Sequence, residues 1–68
     1  MKFTVIITNT KPGSQSRTVV TEALDPMLAH KAVYLKDVKQ YEEIEKVIDE
    51  KSGACVFDLK TGFNLVNK

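Results

Sequence analysis

The chain has 68 residues, 43% hydrophobic and 28% charged, a composition that suits one small globular domain and argues against a disordered tract. Ten Lys and Arg face nine Asp and Glu, a net charge of +1, which argues against a uniformly basic nucleic-acid binder while leaving room for a local patch. One Cys and one His cannot complete a Cys/His zinc site, no apolar run reaches membrane-spanning length, and the amino end lacks a leader-like apolar stretch, so a cytoplasmic protein is expected.

Lys2-Phe3-Thr4-Val5-Ile6-Ile7-Thr8 is rich in β-branched residues, with Phe3, Val5 and Ile7 alternating against Thr4, Ile6 and Thr8. That alternation predicts a half-buried strand. The polar run at 9–16 contains Pro12-Gly13, the signature of a type II turn with an exposed tip, and residues 17–23 are again β-rich and should return antiparallel. Asp25-Pro26 reads as a helix start, since aspartate caps orphan amides and proline loses nothing at the first helical position.

From Met27, Leu28, Ala32 and Leu35 fall on one helical stripe, with Ala29 and Val33 beside it. A second set, Tyr34, Val38, Tyr41, Ile44 or Glu45, and Ile48, recurs at spacings of three and four. Helical structure is therefore expected over residues 26–51, as one long helix or as two short helices with Asp37 capping the second. Lys51-Ser52-Gly53 supplies a helix stop, with glycine in the left-handed position. Residues 54–59 read as a strand with Cys55, Phe57 and Leu59 on one face. Lys60-Thr61-Gly62 reads as a short bulged turn, and residues 63–67 as a final strand with Phe63 and Leu65 inward. The whole chain, 1–68, is thus expected to be a single α+β domain of order β-β-α-β-β, a four-stranded antiparallel sheet with the helical segment across one face. The other face is left for water or a partner.

The chemistry-bearing residues are sparse. His30 and Cys55 are the only base and thiol, they sit on different elements, and packing roles serve both: a helix-surface imidazole and a small buried hydrophobe. No nucleotide-binding loop is present, because Pro12-Gly13-Ser14 lacks the Walker spacing and lies between two strands. Phe3, Phe57 and Phe63 alternate with polar residues as core aromatics do, outside any RNA-stacking motif. No catalysis, cofactor or metal is expected.

Charge is divided along the chain. Residues 1–41 carry a net +3 and residues 42–51 a net −3, the latter from Glu42, Glu43, Glu45, Asp49 and Glu50 against Lys46 and Lys51. On the expected helix Glu42, Glu45 and Asp49 would line one stripe beside Tyr41, an acidic surface suited to a basic groove on a partner protein. The rival reading is an RNA- or DNA-binding module that uses the basic hairpin, chiefly Lys11 and Arg17. A small sheet with open edges also favours a homodimer through an edge strand or the helix.

The step Ala23-Leu24-Asp25-Pro26 into a helix with Ala29 and Ala32 resembles small phage-encoded proteins of β-β-α build. That resemblance implies an inhibitor of a host protein, a viral binding module that occludes a surface.

Overall fold

The computed structural model describes residues 1–11 and 15–63. It is an α+β domain in which an antiparallel sheet is covered on one face by a single helix. The elements run β1 (Lys2–Asn9), β2 (Arg17–Glu22), α1 (Pro26–Lys36), β3 (Glu42–Asp49), β4 (Cys55–Asp58) and β5 (Gly62–Phe63). Among the described residues the sheet has five strands in the order β2-β1-β3-β4-β5, one more than expected. The Pro12-Gly13 turn, the strand beyond Phe63 and the inward Leu65 lie outside the described residues. No helix among the described residues is long and apolar enough to cross a membrane.

The first hairpin forms as its alternation predicts. Phe3, Val5 and Ile7 are buried, and β1 pairs with β2 in unbroken register from Lys2 opposite Glu22 to Ile7 opposite Arg17. The helix starts where its capping residues place it. Asp25 is extended, its Oδ1 accepts the Leu28 N–H at 2.8 Å, and Pro26 opens the first turn. The helix stops at Lys36, with Asp37 as its carboxyl-terminal cap rather than the start of a second helix.

The helix packs on the sheet through Ala29 and Val33, which are buried, whereas the neighbouring stripe of Leu28, Ala32 and Leu35 is exposed. Apolar residues occupy both sides of α1, so spacing alone does not choose between them. The fully buried Ala29 is the smaller side chain and brings the helix backbone close over the strands.

Residues 42–49 are a strand, not the second half of a helix. Their burial follows a period of three, with Ile44 and Val47 inward, which matches neither a regular strand nor a regular helix. The cause is a β-bulge. Ile7 opposes Ile44 and Ile6 opposes Lys46, leaving Glu45 without a partner on β1. The extra residue resets the alternation, so that residues three apart share the helix-facing side. The same device acts in β4, where Phe57 opposes Val47, Cys55 opposes Ile48, and Val56 is the additional residue. Phe57 therefore packs under the helix while Cys55 sits with Ile48 on the other face, although Cys55, Phe57 and Leu59 were expected together. Leu59 is exposed in the following turn.

Two glycines occupy the left-handed region for different reasons. Gly53, at φ 74°, was expected to end a helix but turns the chain from β3 to β4, its N–H donating to the Asp49 carbonyl at 2.7 Å. Gly62, at φ 85°, follows the three-residue turn from β4 and stands opposite Asp58, as a bulged hairpin requires.

The core is Phe3, Val5, Ile7, Ala29, Val33, Ile44, Val47 and Phe57, with Val19, Ala23, Val38, Val56 and Phe63 packed around it. The opposite face of the sheet has no cover among the described elements.

Candidate functional site

The expected acidic stripe depended on a helix at residues 42–50, and the strand disperses it. Glu42 lies at the start of β3 opposite Asn9. Glu45 occupies the bulge. Asp49 lies at the far end, where its Oδ1 accepts the Lys51 N–H at 2.9 Å within the β3–β4 turn. These carboxylates do not converge.

Glu42 instead meets Arg17, the residue assigned to the rival nucleic-acid surface. Arg17 stands at the start of β2 and Glu42 at the start of β3, two strands apart with β1 between them. Arg17 Nε donates to Glu42 Oε2 at 3.0 Å and Nη2 donates to Oε1 at 2.9 Å, a forked pair. Nη2 also donates to the Asp37 carbonyl at the end of α1, at 2.6 Å. The Lys39 N–H donates to Glu42 Oε1 at 2.9 Å. The side chain of Glu42 is only 12% exposed. The Arg17 guanidinium, then the Lys39 N–H, hold the Glu42 carboxyl down at about 2 against a smaller opposing effect of burial, and Arg17 is raised in turn by Glu42. The cluster ties β2, β3 and the carboxyl end of α1 together. The two charges are paired with each other within the fold.

Tyr41 sits immediately before β3 with φ 70°, the only non-glycine residue at positive φ among those described. A bulky side chain in this region is strained. The turn is held by Thr10, whose N–H and Oγ1 both donate to the Tyr41 carbonyl, at 2.7 and 3.0 Å. Tyr41 is 52% exposed, and Lys11 Nζ lies 4.9 Å from its ring centroid, a cation–π contact. Lys11 and Arg17 thus each face a partner from the other expected surface, Tyr41 and Glu42.

His30 and Cys55 do not meet. His30 is half-buried on the helix-facing side, edge-on to Phe57 at 4.6 Å and Phe63 at 5.4 Å between ring centroids, and stacked on Tyr34 at 6.2 Å. It belongs to an aromatic cluster rather than to the helix surface expected, and burial lowers its pKa. Cys55 lies on the opposite face, its Sγ 3.2 Å from the Phe57 carbonyl.

A shallow hollow of about 260 Å³ lies between β3 and the β4–β5 turn, lined by Thr8, Glu45, Lys46, Asp58, Leu59 and Lys60. Its charges are of both signs, with Lys46 opposite Asp58 across the strands. No group of three His, Cys, Asp or Glu among the described residues is placed to hold a metal ion.

The outer side of α1 was overlooked as a surface. Leu35 is 72% exposed, Met27, Leu28 and Tyr34 are also exposed, and Leu24, before the cap, is 83% exposed. A helix with apolar residues on both its sheet-facing and its outer side normally has something packed on each. The sequence signal for it is the Leu28-Ala32-Leu35 stripe.

Comparison of the chain with family models, with curated proteins and with solved structures finds no match.

Proposed function

We propose that the chain is a small non-catalytic protein-binding module that acts by covering a surface of another protein. The exposed apolar side of α1, Met27, Leu28 and Leu35 with Tyr34 beside them, carries this reading. These residues gain from a protein groove what they lack in the free chain, removal from water. Occlusion of this kind is how an inhibitor of a host protein would work, and Tyr41 offers a second exposed aromatic anchor.

The nucleic-acid alternative draws no support from Lys11 and Arg17, whose charges face Tyr41 and Glu42.

The test is capture of a partner from native host cells with the parent chain and with the L28K/L35K double variant. Both positions are exposed, so the variant should fold as the parent does. Partner binding should weaken at least tenfold, about 1.4 kcal/mol. A partner held equally well by both chains would remove α1 from the interface. Binding to bare nucleic acid that falls steeply with salt would favour the alternative.

A further inference from the structure

We propose that β2 is a self-association edge, along which two copies of the chain pair antiparallel about a twofold axis at Val20 and join their sheets into one. The inference rests on the sheet edge and not on α1, so it stands or falls separately from the partner reading above.

The backbone bonding of β2 fixes which of its groups are free. The Ala23 N–H donates to the Met1 carbonyl at 3.0 Å, one step beyond the Glu22–Lys2 pair. In an antiparallel ladder, bonded and non-bonded pairs alternate. Thr21, Val19 and Arg17 therefore turn their amide groups toward β1, while Thr18, Val20 and Glu22 turn theirs outward. The other side of β1 agrees: the Glu50 N–H donates to the Lys2 carbonyl at 3.1 Å, so Lys2 bonds toward β3. Among the described residues no strand pairs with the outer edge of β2.

Of the devices that prevent strand addition, β2 has only charged ends, Arg17, which is paired with Glu42, and Glu22. It contains no proline, no lysine and no bulge, whereas the two bulges of the sheet lie in interior strands. On the opposite edge, the described part of β5 is Gly62–Phe63. Val20, in the middle of β2, is 58% exposed.

Symmetry then selects the register. A twofold axis perpendicular to a sheet reverses the strand and preserves its faces, so each residue must oppose one from the same face. Centring the axis on Val20 sets Val20 against Val20 of the second copy and Thr18 against Glu22. All three outward residues then exchange both N–H and C=O. On the uncovered face the Thr18 hydroxyl can donate to the Glu22 carboxylate, and no two like charges stand opposite each other. This self-complementarity favours a second copy over a foreign strand.

The register yields a charge-swap test in sedimentation of the full chain. The parent should form a dimer whose fraction rises with concentration. V20K and V20E each place like charges across the axis and should weaken dimerisation at least tenfold with unchanged circular dichroism. Mixing the two in equal amounts should restore a heterodimer. Amide exchange gives a readout that needs no variant: Thr18, Val20 and Glu22 should gain protection as concentration rises, while Val19 and Thr21 are protected throughout. A parent monomeric up to its solubility limit, or outward amides indifferent to concentration, overturns the proposal. A monomeric parent that takes up an added strand peptide along β2 overturns it in favour of a foreign strand. Variants that dimerise as the parent does, or a mixture that does not restore the dimer, overturn the Val20-centred pairing.

Discussion

β1 and β3 lie side by side at the middle of the sheet and are equally long, yet they bury their residues with different rhythms. β1 places every second side chain, Phe3, Val5 and Ile7, under the helix. β3 places Ile44 and Val47 there, three apart. The two strands share one ladder, and the whole difference is the single unpaired residue Glu45. Burial period thus reports how a strand is registered against its neighbour as much as which backbone conformation it adopts.

Removing Glu45 together with Lys46 is the most severe way to break this contrast. Residues 42–44 then slip by one against β1, so that Ile44 stands opposite Ile6 on the uncovered face and Glu43 is driven toward the core opposite Ile7, whereas removing Glu45 alone closes the bulge and leaves Ile44 opposite Ile7. The double deletion should abolish the cooperative thermal transition followed by circular dichroism, and the single deletion should keep it. A double-deletion variant that melts like the parent would mean that β3 is not registered against β1 in this way.

Point substitutions sharpen the same contrast. Ile44 is buried, whereas Ile48 is half-buried on the uncovered face opposite Thr4. Ile44→Ala should cost about 2–5 kcal/mol in urea denaturation, and Ile48→Ala about 1 kcal/mol. A helix through this segment would carry Ile44 and Ile48 on one side and make the two losses alike.

Acid separates the two strands electrostatically, because Glu42 of β3 is the member held by Arg17. Its carboxyl stays near 2 in the fold against an ordinary value of 4.5. The folded state therefore binds fewer protons than the unfolded state between these values. The stabilisation is complete above the ordinary value and is lost as pH falls through about 2. Glu42→Gln should flatten the pH dependence of stability in this window, as followed by urea midpoints. An unchanged slope would detach Glu42 from the clamp.

The smallest effect concerns His30, which packs on Phe57 and Phe63 beyond β3. Burial lowers its pKa below the ordinary value of 6.5. Its contribution is full above that value and declines as pH falls below it, because the unfolded chain takes up the proton first. His30→Phe should remove a shallow loss of melting temperature on acidification below about pH 6.5. A parent whose melting temperature rises over that interval would contradict the placement of His30.

The parts of the fold legible in the sequence are those written in local chemistry. The alternation of Phe3, Val5 and Ile7, the Asp25-Pro26 cap and the left-handed Gly62 each act within a few residues, and each forms as read. β3 was illegible because its bulge gives Ile44, Val47 and Ile48 a spacing that imitates a helix. Gly53 reinforced the error, since the same left-handed glycine ends helices and turns strands. The side of α1 that packs was hidden for another reason: Ala29-Val33 and Leu28-Ala32-Leu35 are both apolar, and only the sheet distinguishes them.

For the candidate surfaces the missing information was long-range. Arg17 and Glu42 were assigned to competing sites because charge counting treats every ionic group as available. Their pairing depends on β2 and β3 flanking β1, an order set by contacts that no local window contains. Tyr41 was singled out as an aromatic; its positive φ and its Thr10 tether were not readable from its neighbours.

The strand order also has a kinetic consequence. The β1–β2 hairpin and the β3-β4-β5 meander each join strands adjacent in the chain. The β1–β3 ladder must instead bring Phe3 against Asp49, with the hairpin loop, β2 and the whole of α1 strung between them. Closing so long a loop costs entropy before the core contacts repay it. The barrier to folding should therefore lie at the seam between β1 and β3: substitutions of Val5 and Val47 should slow refolding, whereas changes in the β4–β5 turn should mainly speed unfolding.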